Sequence, residues 1–485
     1  MISTNLSDRP SSTSSTLMKA RRFGIFSVLA IATSTMAIAS STEAQIAVDG
    51  STATEVKGNV ISPTGAGTVN GGNLYNSFQE FNVPTSGVIF NTGNSSVDGN
   101  RINNIINRVT GDNPSAILGT IESRQAFPNA NLFLLNPNGV IFSPSAKLDI
   151  GGSFNVNTGT GLGFDQNQKF IVDRNSLIFP SGDPKNIQFS VSQPAAIINQ
   201  GNLSVAAGKD IAITAGTVIN SGNLSAPNGN VNIAAVAGNS QVELRSPDLV
   251  LGLSVSPNTI PSTWNGQIAS LSKLAEALTG KVDQANQVVV KPDGSIALVV
   301  SPSASDIAVK DGMAIASGSI NVSSDSGKGG NIGVFGKQVG LVNAQVNASG
   351  ATGGGTVLIG GDVQGKGTVP NALQTYIDAS SNIFANGLLT GDGGKVIIWA
   401  DRSTQFYGAI AARGGDISGN GGFVEVSGKD NLIYQGSTDT RAINGNTGTL
   451  LLDPQNIEVT FGSNVPAQLA ANDQFADPPV NGMAQ

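Results

Sequence analysis

The chain has 485 residues, of which 12% are charged, 5% aromatic and 61 glycine, with a net charge of −7 and neither cysteine nor histidine. Missing cysteine and histidine exclude disulfides, thiol nucleophiles, histidine-based triads, imidazole bases and the usual zinc ligand sets. The acidic balance argues against binding nucleic acid or anionic membrane by charge. Low charge, against about 25% in typical globular proteins, combined with abundant Gly, Asn, Ser, Thr, Val and Ile, fits many short β-strands joined by tight turns. Disorder would show fewer β-branched residues and more charge.

At the N-terminus, Lys19, Arg21 and Arg22 precede an uncharged stretch from Phe23 to Thr42, followed by Thr42-Glu43-Ala44 before Gln45. This is a secretory signal pattern, so residues 1–44 are predicted to be a signal peptide cut between Ala44 and Gln45, after export by the inner-membrane machinery and signal peptidase. Met18 is a candidate true start. Cleavage leaves 22 basic against 31 acidic residues. The next segment, Gln45 to about Val60, alternates Ile46 and Val48 and is predicted to cap an open strand edge.

Residues 131–154 read NLFLLNPNGVIFSPSAKLDIGGSF. Two apolar runs, Leu132 to Leu135 and Val140 to Phe142, flank Asn136-Pro137-Asn138-Gly139, whose residue types suit a tight reversal. Pro137 presets its backbone, Asn138 and Gly139 accept positive φ, and the Asn136 side chain can bond the backbone two residues on. Further along, Ile198-Asn-Gln-Gly-Asn-Leu-Ser204 recurs 21 residues later as Ile219-Asn-Ser-Gly-Asn-Leu-Ser225. A Gly-Gly-x-Val/Ile-x-Val/Ile pattern recurs at Gly329–Val334, Gly354–Ile359, Gly393–Ile398 and Gly421–Val426.

Short alternating strands spaced by Gly and Asn at such intervals predict an all-β parallel β-helix, in which inward residues such as Ile198 and Leu203 stack over Ile219 and Leu224. The runner-up, a β-sandwich array, would show hairpin turns and units of roughly 100 residues, where a 21-residue identity is hard to place. Asparagines at a recurring corner would stack as an amide ladder. About 18 coils would give a rod of roughly 85 Å. Ile268, Leu271, Leu274, Ala275 and Leu278 recur at helical spacing, predicting a short helix or decorated loop within Gln267 to Asp283. The expected organisation is a signal peptide 1–44, a capped domain 45–250, a variable decorated segment 251–320, continuing coils 321–460 and a polar tail 461–485.

The stretch around Asn136-Pro137-Asn138-Gly139, together with NLYNSFQEFNV from Asn73 and INRVTGDNPSAILGTI from Ile106, resembles the secretion domain of filamentous haemagglutinin-type exoproteins, the two-partner secretion family. KVIIWAD from Lys395, GGFVEVSGK from Gly421 and GTLLLDPQNI from Gly448 resemble the passenger region of cyanobacterial-type members. The resemblance implies a right-handed parallel β-helix capped at its N-terminus and exported through a dedicated outer-membrane barrel whose POTRA domains bind the secretion domain while it is still unfolded or partly folded. It carries Asn136, Pro137, Asn138 and Gly139 over as part of the recognition and folding signal. Asn73 belongs to the matching stretches, and Asn113 with Pro114 is the nearest counterpart of a second Asn-Pro motif, from which it departs at Ser115-Ala116. The length is short for such adhesins, so a truncated or short member is expected.

The expected function is a secreted or surface-exposed adhesin-like exoprotein with an unidentified receptor or glycan, no cofactor, no metal and no enzymatic activity. The main alternative is a β-helical polysaccharide lyase or hydrolase, which needs clustered acids such as Asp362 and Asp378 on one face. An autotransporter passenger would need barrel strands of its own. A calcium-binding rod would need regular Asp-bearing nonapeptides, of which Thr390 to Lys395 offers one isolated loop.

Overall fold

The computed structural model describes residues 46–245, 250–252, 287–290, 296–299, 307–308 and 312–454. The signal segment with Ala44 and Gln45, the predicted helix of residues 267–283 and the polar tail 461–485 lie outside these.

Three long sheets run along a parallel β-helix. The first has 13 strands, of which Ile46–Val48 and Val69–Asn70 pair antiparallel with Asn73–Phe81, leaving eleven parallel layers from Asn73–Phe81 to Thr449–Leu451. Eleven layers span about 48 Å, shorter than the rod expected from an even division of the chain. The difference has a physical reason among the described residues: the chain leaves the rod after Asn157 and rejoins it at Ala196 in the fourth coil, and leaves it after Ala235 and rejoins it at Met313 in the sixth, at the same corner between the first and second sheets.

Register follows hydrophobicity. On the first sheet Leu74, Ile105, Leu132, Phe154, Ile211, Val231, Ile332, Val357, Val396 and Val424 stand one above the other in the interior. Each buried aliphatic of this column contributes about 1.5–3 kcal/mol. On the third sheet Leu203 stacks on Leu224 in that interior, as expected. Ile198 and Ile219 also stack in register and are almost wholly buried, but they lie outside the interior cluster. Their neighbours Ile197 and Val218 point inward instead, because side chains alternate along a strand.

The predicted amide ladders are present. Asn104 donates to Asn73 at 2.9 Å and Asn131 to Asn104 at 3.0 Å, and the Oδ1 of Asn131 accepts from the Ser153 N–H at 2.8 Å. Asn199 donates to Asn220 at 2.7 Å and Asn331 to Asn230 at 2.7 Å. Asn228, Asn239 and Asn343 adopt left-handed φ of 55°, 56° and 53°.

The cap is antiparallel. Thr54–Lys57 forms the free edge of the third sheet, paired with Val60–Pro63, and carries an exposed Glu55–Lys57 ion pair at 2.8 Å. Charges on an edge strand discourage pairing with another chain.

A second core lies outside the rod. Gly161–Gly163, Lys169–Ile171, Asn186–Phe189, Ser240–Arg245 and Val250–Gly252 form an antiparallel sheet drawn from both insertions. Its Leu162, Phe170, Ile187, Phe189 and Val242 pack on outward Tyr75, Ile106, Phe133 and Leu135 of the first sheet. Within the expected variable segment, Gln287–Val290, Ile296–Val299 and Ile307–Ala308 pair antiparallel, while Met313–Ala316 and Ser319–Asn321 already stack as rod strands.

Candidate functional site: the asparagine corner of the third coil

Asn131–Leu135 belongs to the first sheet and Val140–Phe142 to the second, so Asn136 to Gly139 turns a corner of the third coil and does not reverse the chain. The side chain of Asn136 is fully buried and holds three groups at once. Its Nδ2 donates to the Asn113 carbonyl and to Ser115 Oγ, both at 3.0 Å, and its Oδ1 accepts from the Asn138 N–H at 2.9 Å. The last of these is the bond expected from the sequence. Asn138 Nδ2 donates to the Gly111 carbonyl at 2.7 Å. Both asparagines therefore pin the third corner to the second.

Only Gly139 in the motif takes a positive φ, 110°; Asn138, expected to share that conformation, does not, because a corner needs one such residue and not two. A Cβ at Gly139 would stand 2.9 Å from the Ala196 carbonyl and 3.8 Å from Pro114 Cβ. Asn113 and Pro114 thus lie in the same corner stack, with Asn113 exposed and donating to Glu80 at 2.6 Å. Asn73 is elsewhere, at the opposite edge of the first sheet, where it begins the amide ladder. Asp362 and Asp378 also stand at different corners of the eighth coil, and Asp378 Oδ1 accepts from the Asn343 N–H and Ser381 Oγ.

What this corner can do follows from its burial. Once the third coil is closed, a partner reaches only the half-buried Pro137 and Asn138.

Sequence reasoning missed a second cluster. Arg108, fully buried on the outer face of the second coil, donates to Ser77 Oγ at 2.7 Å, Ser51 Oγ at 2.9 Å, the Ile171 carbonyl at 2.7 Å and the Ser176 carbonyl at 3.1 Å. Its guanidinium lies 4.7 Å from the Phe170 ring centre. Burial lowers its pKa, and the charge of Asp49 works against that. Asp49 accepts from Ser51, from Ser77 at 2.6 Å and from Thr110 at 2.7 Å. Burial alone would push this carboxyl up, but the bonds from Ser77, Ser51 and Thr110 outweigh it and hold the pKa below its ordinary value.

A depressed acid contributes stability that is complete above its unfolded pKa, about 3.9, and is lost as pH falls through the folded value. The melting-temperature gap between the wild type and Asp49→Asn should be full at about pH 5 and shrink below about pH 4. A gap that stays constant down to pH 2.5 would show that ionised Asp49 contributes nothing.

A capped parallel β-helix carrying an antiparallel outer sheet is thus the class of protein defined here. The family model of the TPS secretion domain matches residues 44–290, and the chain belongs to that family. Membership makes it an exported protein of the two-partner secretion type, with an outer-membrane transporter as partner. Similar solved structures include the HMW1 secretion domain from Haemophilus influenzae, 21% identical, with a TM-score of 0.42, covering 84% of this chain and 99% of that one. Another is the filamentous hemagglutinin secretion domain, 15% identical, with a TM-score of 0.29, again covering 84% and 99%. No curated protein matches the chain in sequence.

Proposed function

We propose that residues 45–250 form the export signal and folding nucleus of an adhesin-like exoprotein, and that the coils beyond, through residue 460, form a stalk or interaction surface at the cell exterior. In this reading residues 1–44 are a signal peptide cut between Ala44 and Gln45. POTRA domains of the barrel partner meet Asn136 to Gly139, with Asn113 and Pro114 beside them, before the third coil closes. Asn73 serves folding through the amide ladder. The downstream stretches from Lys395, Gly421 and Gly448 make this a cyanobacterial-type passenger that presents a low-charge surface to a receptor or glycan, without catalysis.

The observation that carries the proposal is the family match over residues 44–290, a span that includes the motif. A low-charge β-rich chain risks aggregation in the periplasm, while coils added one at a time outside bias movement outward. The test is the intact mass and location of the chain in cells with and without a family-type barrel partner. A chain beginning at Gln45 should reach the medium only with the partner. Accumulation in the periplasm in both strains would overturn the export reading.

A further inference from the structure

The fourth-coil insertion crosses the outer face of the first sheet and is fixed there at both ends. At one end Asn70 donates to the Phe179 carbonyl at 2.8 Å, and Asn73 donates to the carbonyls of Pro180 and Gly182 at 3.2 and 2.6 Å. There too the Tyr75 hydroxyl donates to the Pro180 carbonyl, and Asn104 donates to Asp183 at 3.1 Å. At the other end stands Arg108, with the carbonyls of Ile171 and Ser176 and the Phe170 ring. Between them the rings of Tyr75, Phe170 and Phe179 pack at centroid distances of 4.7, 5.5 and 6.1 Å. In these hydrogen bonds and ring contacts each rod-side partner belongs to the cap or the first two coils and each other partner lies within residues 170–183, while the apolar packing of the outer sheet extends to Phe133 and Leu135 of the third coil.

We propose that residues 170–183 are a strap that closes over the cap and first two coils, that Arg108 is its positioning residue, and that closure ends the export-competent state. This rests on the export reading above. The two sides of the contact are far apart in sequence: Ile171 is 63 and Ser176 is 68 residues from Arg108. The strap can therefore close only when the cap, both coils and residue 183 are on the same side of the outer membrane, whichever part of the chain leads. Before closure Tyr75 and Ile106 lie on an open face, and the guanidinium has only Ser51 and Ser77. After closure the second core buries that face and opposes return through the pore. Lysine cannot replace the arginine, because one ammonium cannot reach four acceptors arranged around a planar fork.

The strap contains exposed Arg174, a trypsin site, and exposed Arg402 in the ninth coil serves as an internal reference. On the full mature chain, Arg108→Lys should speed cleavage at Arg174 about tenfold and Tyr75→Phe about threefold, with Arg402 unchanged, because charged hydrogen bonds outweigh neutral ones in local opening. With the barrel partner present, the medium-to-periplasm ratio should fall at least about fivefold for Arg108→Lys. Unchanged cleavage at Arg174 in both variants would overturn the strap, and an opened strap with wild-type export would overturn its link to export. Should Arg108→Lys be cleaved equally at Arg402, the Tyr75→Phe comparison decides. Wild-type chain retained in the periplasm despite the partner sinks the export reading itself, whatever the trypsin pattern.

Discussion

Replacing Asn136 with alanine is expected to remove about 3 kcal/mol of stability and to abolish most export, whereas Asn138→Ala should cost about 1 kcal/mol and leave most export intact. The difference follows from what each side chain leaves behind. Without the Asn136 amide, the Asn113 carbonyl, Ser115 Oγ and the Asn138 N–H lose their partner at a buried corner. Without the Asn138 amide, the Gly111 carbonyl loses one part-buried bond and Asn136 Oδ1 loses a long second one at 3.3 Å while keeping the Asn138 N–H. Against a total stability on the order of 5–15 kcal/mol, the first loss is large and the second is not. Export measured with the barrel partner then separates two ways the motif could act. A tag read residue by residue in the unfolded chain would make both variants fail alike. A corner that must close would make export follow stability. Asn371→Ala is the control, since it also removes two amide bonds, to the Gly365 carbonyl and to Asp401, but far from the export domain. Secretion of all three at the wild-type level would remove any functional role for the corner.

How much of this was legible in the sequence depended on the distance over which each feature is determined. The repeat from Ile198 to Ile219 lies within one coil length, so layer spacing, amide ladders and strand stacking could all be read from it. The inward residue could not, because Ile197 and Ile198 are adjacent and both apolar, and a one-residue shift in parity exchanges the faces. The turn at Asn136 could be recognised from its residue types, but local chemistry does not say whether the next strand joins the same sheet or another. The coil count failed because insertions at residues 158–195 and 236–312 carry no repeat of their own. The outer sheet had left a usable sign: Leu132 to Leu135 is apolar on both faces, and a strand apolar on both faces is covered on both. Nothing within reach of Arg108 announced its role, since its carbonyl acceptors become neighbours only in the folded chain.

The Gly-Gly pattern of the later coils makes a second prediction that is large and local. A Cβ at Gly421 would lie 1.7 Å from the Thr440 carbonyl and 2.3 Å from the Gly448 nitrogen, two backbone atoms bonded to each other across the corner. No rotamer relieves such a clash. Gly421→Ala should therefore cost on the order of 4 kcal/mol. Gly340→Ala, inside a strand, meets only the far end of the Ile315 side chain, at 2.8 Å, and should cost less than about 1.5 kcal/mol. Because each coil touches only its neighbours, the Gly421→Ala loss should stay near the tenth and eleventh coils. Amide hydrogen exchange should quicken in Phe423–Gly428 and Thr449–Leu451 and stay slow in Asn131–Leu135. Export should remain at the wild-type level, since the altered corner lies outside the segment proposed to carry the signal. Exchange that quickens equally in all three strands would mean the rod opens as one unit, and the division between export domain and stalk would lose its physical basis.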